Sequence, residues 1–329
     1  MELNKLKGLN NKLSLNFHRE RIPTRNGYGD ALVKLGRNKK IMVCCADLKE
    51  STRVQNFAEK FPQQYVEMGV AEQNLVTVAS GLSAAGKIPF VSSYAMFCPG
   101  RCWEQIRTTI CYNDRNVKII GAHAGISVGP DGATHQALED IAIMRALPNM
   151  IVVVPADYEQ TKKATQALAH FSGPAYMRFA REKTEQMTTE KTSFTIGKAQ
   201  VLKQGNDIAL IGAGPVVYGC LVAAKMLQEQ GFNAMVINCH TIKPLDHQTI
   251  LMAAKRCKKI VTVEEAQITG GLGGAIAEFL SEVYPTKIKR VGMKDRFGES
   301  GDPDELLKIF GFSAEHVYKE ALKMLGKKI

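Results

Sequence analysis

The sequence predicts an α/β protein with two consecutive three-layer domains, each built on a mostly parallel sheet. Short apolar runs of strand length alternate with amphipathic segments of helix length along most of the chain, which is typical of parallel strands covered by helices. A polar stretch rich in Thr and Lys, residues 183–195, interrupts this alternation and is interpreted as a linker. The 329 residues are enough for about two domains of ordinary size. We therefore expect one domain at residues 1–190 and a second at residues 191–329.

The first domain is predicted to begin with a polar lead-in, from residue 1 to about residue 20, followed by a loop that enters a helix around Asp30. Its predicted strands are buried apolar runs, and they lie at residues 41–46, 65–68, 88–92, 117–122, 151–154 and 175–179. Helices are predicted from Glu72 onward and at residues 138–147 and 158–171, where apolar side chains recur at helical spacing.

The second domain repeats the alternation after the linker. Its strands are predicted at residues 207–212, 234–238, 259–264 and 287–291, and its helices at residues 216–230, 247–256, 274–283 and 313–325. A glycine-rich run, residues 270–275, opens one of these helices and could cradle an anion at the helix N-terminus. We interpret the glycines instead as positions where the helix packs closely on the sheet.

Composition excludes several classes of protein. No stretch approaches the ~20 apolar residues of a membrane span, and the polar N-terminus lacks the apolar core of a secretory signal. The eight cysteines form no paired CxxC framework, so we expect neither a zinc site nor disulfides, and a reducing, cytoplasmic location. The net charge of +11 suits anionic metabolites, whereas the lack of a basic run interleaved with aromatics argues against nucleic acid.

Several polar and aromatic side chains follow predicted strands, at the sheet edge where open α/β sheets bind ligands. Asp47 comes directly after the strand at residues 41–46, Tyr94 and Phe97 follow the strand at residues 88–92, and Glu72 opens the helix between them. Taken singly, an acid in a first helical turn is usually a favourable contact with the helix dipole. Two aromatics spaced three apart are usually part of a core.

Three strings of residues favour a functional role for these side chains over the ordinary structural one. GVAEQN at residues 69–74, GAHAGISVGPDGATHQALED at residues 121–140 and VEEAQITGGLGGA at residues 263–275 occur in this order. Together they resemble the C-terminal half of transketolase, and in particular the separate C-terminal subunit of transketolases that are split into two chains. The resemblance covers nearly the whole chain from about Pro23 onward.

The resemblance implies a thiamine diphosphate pyrimidine-binding domain followed by a transketolase C-terminal domain. In the family, the pyrophosphate and its divalent metal are bound by a GDG motif followed by an Asn. This chain lacks that motif, because its Asp131-Gly132 pair has no Asn at the required spacing. The resemblance therefore implies a cofactor shared with an N-terminal transketolase subunit, which would bind Mg²⁺ or Ca²⁺, within an α2β2 assembly. No metal ligand is expected in this chain.

Roles of individual residues follow from the resemblance. Glu72 matches the acid that hydrogen-bonds a ring nitrogen of the aminopyrimidine. Tyr94 and Phe97 match rings that surround the pyrimidine. Gln105 matches a position that could bond the pyrimidine edge, and Asp47 an acid near the cofactor.

The substrate would be a sugar phosphate. His123, Asp131 and His135 match positions that contact the sugar hydroxyls, and the two histidines would exchange protons with them. Arg25, Ser51 and Arg181 match positions that grip the distal phosphate, where the planar fork of arginine suits phosphate oxygens. Arg178 is the alternative to Arg181, since a gap of one position in the match would exchange them.

Three other interpretations stay open. The β subunit of a 2-oxoacid dehydrogenase shares the acid and the two-domain layout, although the DGATHQ string at residues 131–136 argues against it. Deoxyxylulose-phosphate synthase uses similar strings, usually within one long chain. A subunit that only scaffolds or regulates would be expected to lack Glu72 or the histidines, and all are present.

Overall fold

The structure, a computed structural model, describes residues 3–327, which form three sheets flanked by helices. The strands are β1 His18–Pro23, β2 Ile41–Cys45, β3 Tyr65–Glu67, β4 Ile88–Tyr94, β5 Lys118–Ala122, β6 Ile151–Val153, β7 Ala175–Arg178, β8 Lys183–Gln186, β9 Gln200–Lys203, β10 Ile208–Gly212, β11 Ala234–Asn238, β12 Thr241–Lys243, β13 Lys259–Gln267 and β14 Lys287–Met293. The α-helices are α1 Thr24–Leu35, α2 Gln55–Lys60, α3 Glu72–Ala84, α4 Trp103–Gln105, α5 Asp140–Arg145, α6 Tyr158–His170, α7 Val216–Glu229, α8 His247–Cys257, α9 Leu272–Val283, α10 Pro303–Ile309 and α11 Ala314–Leu325.

The larger sheet has seven strands in the order β12-β6-β7-β5-β4-β2-β3, all parallel except β12. Its strands are almost continuously apolar because helices cover both faces. The register pairs Tyr94 at the end of β4 with Ala122 at the end of β5, and Gly121 with Arg178 on β7. The carboxyl ends of the central strands therefore meet at one edge.

The second large sheet has five strands in the order β14-β13-β10-β11-β9, with only β9 antiparallel. Helices α7 and α11 pack on one face, where their apolar side chains share a buried core with β10 and β13. The two mostly parallel sheets, each covered by helices, confirm the predicted α/β fold class.

The structure differs from the sequence-based expectations at three places. Lys183–Gln186, expected in a linker, forms β8 and pairs with β1 in a two-stranded sheet. The expected polar lead-in contributes Leu3 and Leu6 to the core beneath α7. Thr241–Lys243 was not expected to be a strand, and it adds antiparallel to β6 of the larger sheet. These segments are short or polar, and tertiary pairing rather than periodicity decides their structure.

A buried carboxyl group already caps the glycine run before α9. The buried carboxylate of Glu264 accepts hydrogen bonds from the backbone N–H groups of Leu272 (2.6 Å) and Gly273 (2.8 Å). A Cβ on Gly271 would lie 2.0 Å from Glu264 Oε2, and one on Gly273 would lie 2.6 Å from Thr262 Oγ1. The glycines therefore permit the helix to approach the sheet and its carboxylate cap, in agreement with the packing interpretation.

The eight cysteines are all buried and unpaired, and they pack as small apolar side chains within the cores. None of the helices in residues 3–327 combines the length and apolar character needed to cross a bilayer. Across the same residues, no group of three or more His, Cys, Asp or Glu side chains is arranged to hold a metal ion.

Candidate functional site

The candidate site begins with two rings at the ends of adjacent strands. Tyr94 is the last residue of β4, and His123 directly follows β5, so the parallel register places them side by side. Their ring centroids lie 4.2 Å apart with an interplanar angle of 37°. His123 has a positive φ of 53°, a backbone conformation uncommon for residues other than glycine. The edge of the sheet thus presents a pair of rings in close contact.

Two further rings complete an aromatic cluster, defined here as Tyr94, Phe97, His123 and His135. Phe97 stacks on Tyr94 with centroids 6.1 Å apart and an angle of 21°. His135 meets the Phe97 ring edge-on at 5.3 Å, and its Nδ1 lies 2.9 Å from the Thr134 hydroxyl. Because Tyr94, Phe97 and His135 are only partly buried, the cluster offers apolar ring surface to a ligand.

Glu72 is a buried carboxylate without a protein partner. It is the first residue of α3 and is 5 % exposed, and among the described residues its side chain forms no hydrogen bond or ion pair. Burying a carboxylate in this way is costly unless another group hydrogen-bonds to it. The arrangement leaves the Glu72 carboxyl group available to hydrogen-bond a ligand.

Arg25 links the aromatic cluster to the turn after β2. Its Nη1 donates to the backbone carbonyl of Ser51 (3.0 Å) and to Nε2 of His123 (3.1 Å). Burial, together with the charges of Arg25 and Arg181, lowers the pKa of His123 to about 3. Burial and the neighbouring Arg53 and Arg181 also lower the pKa of Arg25. Arg181 is paired with Asp131 and Glu182, whereas Arg25 forms no ion pair among the described residues, so a net positive potential remains here and favours an anionic ligand.

A second basic group approaches from the glycine-rich loop. Arg181 Nη1 lies 3.0 Å from Asp131 Oδ1 and donates to the Val128 carbonyl over 3.2 Å. Gly132, directly after Asp131, has a φ of +73°, and a Cβ there would lie 2.4 Å from Ser300 Oγ. The loop can therefore present Asp131 to Arg181 only with glycine at this position.

Arg178, the alternative to Arg181, has a different position. Its Nε lies 3.0 Å from Asp140 Oδ2, which also accepts a hydrogen bond from the Tyr176 hydroxyl (2.6 Å). Its Nη2 donates to the carbonyls of Ala137 and Glu265. Arg178 is 5 % exposed and lies within this buried network, whereas Arg181 is partly exposed beside Asp131. Arg181 therefore stays the residue predicted to bind the phosphate, with Arg178 as its alternative.

Two predicted residues lie apart from the aromatic cluster. Asp47 is exposed, and its backbone N–H donates to Glu67 Oε1 over 2.8 Å. The Gln105 amide donates to the Glu104 carboxylate over 2.7 Å, and its Oε1 is buried without a partner. Among the described interactions, neither contacts a ring of the cluster.

The sequence analysis missed Arg53, a third cation that lowers the pKa of both Arg25 and His123. Arg53 lies two residues after Ser51, has a φ of +65° and is exposed. The sequence feature that could have identified Arg53 is its position in a polar turn directly after a buried strand.

The sequence analysis also missed Glu67, which receives backbone hydrogen bonds from Asp47 and Gly69 and fixes the turn before α3.

Two family models together match most of the chain. The family described as transketolase, pyrimidine binding domain, matches residues 20–186, and the family described as transketolase, C-terminal domain, matches residues 197–317. A protein of Methanocaldococcus jannaschii described as a transketolase C-terminal section is 44% identical over 92% of this chain and 96% of its own length. A 6-deoxy-6-sulfo-D-fructose transketolase subunit of Clostridium sp. is 38% identical over 92% of this chain and 95% of its own length.

The solved structures agree as well. A split gene transketolase, described as an inactive β4 tetramer, is 45% identical to this chain and superimposes with a TM-score of 0.87 over 94% of this chain and all of its own. The chain belongs to the transketolase family, of which it carries the pyrimidine-binding and C-terminal domains, as the C-terminal sections of split transketolases do.

Proposed function

We propose that the chain is the C-terminal subunit of a thiamine-diphosphate-dependent transketolase that transfers a two-carbon ketol unit from a ketose phosphate to an aldose phosphate. The observation that carries the proposal is the contact of Arg25 with His123, which joins an anion-binding group directly to the aromatic cluster. A sugar phosphate needs both features, because its phosphate must be anchored while its hydroxyls exchange protons. The domain limits 1–190 and 191–329 belong to the same proposal.

The residues on the sheet edge fit the cofactor that the family implies. Glu72 has a buried carboxylate without a protein partner, and it would hydrogen-bond a ring nitrogen of the aminopyrimidine. Tyr94 and Phe97 present stacked rings against which a flat heterocycle could pack. Gln105 and Asp47 would complete the pyrimidine side. Bound thiamine diphosphate supplies an electron sink for the carbanion that forms when the ketose C2–C3 bond breaks.

The substrate would be held from two sides. Arg25, Ser51 and Arg181 would bind the distal phosphate, where charge-assisted, bidentate hydrogen bonds are strong. Asp131 would accept a hydrogen bond from a sugar hydroxyl and so select its configuration. His123 and His135 would hold and move protons at the sugar oxygens. In the free chain His123 is neutral, because burial and the nearby arginines lower its pKa to about 3.

The pyrophosphate of the cofactor, with Mg²⁺ or Ca²⁺, would be bound by a separate N-terminal subunit in an α2β2 assembly. Two observations support this division. The GDG-Asn motif is absent from the sequence, and residues 3–327 contain no cluster suited to a metal. The related split gene transketolase described as a β4 tetramer is also described as inactive. The buried, unpaired cysteines agree with a cytoplasmic location.

The proposal also specifies that the substrates are sugar phosphates. The Clostridium relative is named for a sulfonated ketose, so relatives of this similarity differ in their anionic group. Among the alternatives, a deoxyxylulose-phosphate synthase would need a 2-oxoacid donor. A 2-oxoacid dehydrogenase subunit would not need Asp131 and His135 at the sugar, and a scaffolding subunit would need no functional Glu72.

The test is an assay of the purified chain, alone and mixed with its N-terminal subunit, against a panel of ketose phosphates, sulfonated ketoses and pyruvate. We expect ketol transfer only from the mixture and only with ketose phosphate donors. Turnover of pyruvate in place of ketoses would favour the synthase or dehydrogenase interpretation. Full activity of the N-terminal subunit without this chain would favour the interpretation that the chain only scaffolds or regulates.

A further inference from the structure

A basic cavity lies between β14 and the connection from α10 to α11, far along the chain from the candidate site. It encloses about 280 Å³, close to the lower end of the ~300–1,000 Å³ usual for ligand pockets. Its titratable lining groups are all basic, namely Lys289, Arg290, Lys294, Arg296, Lys308 and His316. No Asp or Glu of the described residues lines this cavity.

Neighbouring carboxylates neutralise only part of this charge. Lys289 lies 2.8 Å from Glu320, and Arg296 lies 2.5 Å from Glu299. Lys294 and Lys308 form no hydrogen bond or ion pair of this kind within the part of the chain that the structure describes. Lys308 is close enough to Asp304 to contribute to the lowered pKa of that carboxyl group. Cations that exceed their counter-charges around one concavity repel each other and raise the local concentration of anions. The cavity therefore has a net positive potential that attracts a multiply charged anion.

The walls of the cavity are preformed. The Arg296 guanidinium lies 4.5 Å from the centre of the Phe310 ring, a cation–π contact that helps to hold it at the cavity. Gly311 has a φ of +83°, and a Cβ there would lie only 3.1 Å from Nε2 of His316, so the loop and the imidazole pack closely. Arg290 is tied to the sheet by a hydrogen bond from its Nη1 to the Ile268 carbonyl (2.9 Å). Less side-chain entropy is lost on binding when such groups are already held.

A second explanation for part of this charge is the position of β14. It is an edge strand of the five-stranded sheet, and lysines on edge strands discourage pairing with other chains. That explanation covers Lys287, Lys289 and Arg290, which lie on the strand itself. It does not cover Lys308 on α10 or the Arg296–Phe310 contact, which come from other segments and close the cavity.

We propose that this basic cavity binds a small organic phosphate carrying two or more negative charges, at a site separate from the proposed sugar phosphate site. Lysine ammonium groups act as mobile point charges toward phosphate oxygens, whereas the Arg296 and Arg290 guanidinium groups can make paired hydrogen bonds. The two sites share no residue, since the proposed sugar phosphate ligands Arg25, Ser51 and Arg181 all belong to the first domain.

Inorganic pyrophosphate is the probe for this site, with binding to the full-length chain measured by titration calorimetry. His316 serves as a local reporter, because an anion beside it should stabilise the imidazolium and raise its pKa in NMR spectra of histidine-labelled protein. The Lys294→Gln/Lys308→Gln double variant should weaken pyrophosphate binding at least tenfold. The Lys34→Gln/Lys60→Gln double variant, which removes two exposed charges elsewhere, should bind as the wild type does.

The controls separate this site from the sugar phosphate site. Arg181→Ala should leave the pyrophosphate affinity and the His316 response unchanged. Loss of binding in Arg181→Ala, with no response of His316, would place the probe at the other site and overturn the proposal. Equal weakening in both lysine variants, or no binding at millimolar pyrophosphate, would overturn it as well.

Discussion

The Arg25 guanidinium donates a hydrogen bond to Nε2 of His123 over 3.1 Å, and this contact fixes the state of the imidazole. Because an arginine can only donate, Nε2 must be the acceptor and the neutral ring carries its proton on Nδ1. The same contact brings a positive charge next to the ring, which opposes protonation. The imidazole is thus neutral before substrate binds, and its Nδ1–H, which has no partner among the described residues, is a donor for a sugar oxygen.

We predict that His123 stays neutral, as the Nδ1–H tautomer, between pH 5 and 8, consistent with a pKa lowered to about 3 by burial, Arg25 and Arg181. The ¹⁵N chemical shifts of the imidazole would show this directly. Replacing Arg25→Met should raise the pKa of His123, because one repelling charge is removed. Arg21→Met, whose arginine pairs with Asp304 instead, is the matched control. Titration of His123 near pH 6.5 in the wild type would contradict the prediction.

Glu72→Gln should keep the fold and reduce turnover of the reconstituted enzyme by about 10²–10⁴-fold, the usual range for loss of a general acid–base group. The amide fills the same space but cannot favour the protonated ring nitrogen. Steady-state assays with saturating partner subunit and thiamine diphosphate measure the effect. Glu59→Gln, an exposed acid on α2, is the control and should be fully active. Near-normal turnover of the Glu72→Gln variant would reduce Glu72 to a helix-end acid.

Arg181→Ala should raise KM for phosphorylated donors roughly ten- to hundredfold, since a hydrogen bond to a charged group contributes about 1.5–3 kcal/mol. Unphosphorylated ketoses should be almost unaffected. The comparison of the two substrate types in one variant is an internal control against general damage. A similar loss for both types would disprove the role in phosphate binding.

Arg178→Met, in contrast, should lower the free energy of unfolding. Removing it leaves the buried Asp140 carboxylate without its cation, which costs about 3–5 kcal/mol. Arg181→Met removes a half-exposed pair and should cost less than about 1 kcal/mol. Urea unfolding of the two variants side by side measures this difference. Equal free energies of unfolding for the two variants would mean that the ion pair of Arg178 with Asp140 does not stabilise the fold.

Stability should fall as the pH drops below about 6.5, and His240 should account for part of the loss. Burial lowers the pKa of His240 to about 4, so the unfolded chain takes up the proton first and is favoured between these pH values. The loss for this group is at most roughly 3 kcal/mol. His240→Phe should flatten the pH dependence of the midpoint of thermal unfolding, whatever its effect at pH 8. An unchanged slope would be the contrary result.

The isolated chain should bind thiamine diphosphate weakly and should not turn over substrate. It offers a carboxylate and rings to the pyrimidine, but we assign the pyrophosphate and metal to the N-terminal subunit. Calorimetric titration with thiamine diphosphate and Mg²⁺, before and after adding that subunit, checks this. Size-exclusion chromatography with light scattering should then report an α2β2 mass. Tight binding and ketol transfer by the chain alone would show that it is not a half-enzyme.

Sequence reasoning recovered the elements whose side chains are buried on both faces. Ile41–Cys45 and Ile208–Gly212 are continuous apolar runs, and the position of Tyr94 at the end of the strand predicted at residues 88–92 indicated its place at the sheet edge. His123 was assigned through the family resemblance. Sequence reasoning could not foresee that Arg178 is buried in an ion pair while Arg181 is partly exposed, because the partner of Arg178, Asp140, lies 38 residues earlier in the chain. It also missed Thr241–Lys243, whose strand conformation depends on pairing with β6.

Each of the two domains depends on a segment from the other end of the chain, of which β12 is one. Residues 241–243, from the second half, cover the free edge of β6 in the first sheet, and Leu3 and Leu6, from the beginning of the chain, fill the core beneath α7. A fragment ending at residue 190 would expose the apolar β6 edge and would be prone to aggregate. A fragment starting at residue 191 would lack two core leucines. The two halves therefore should not be separable by truncation, and the chain should unfold in one cooperative transition.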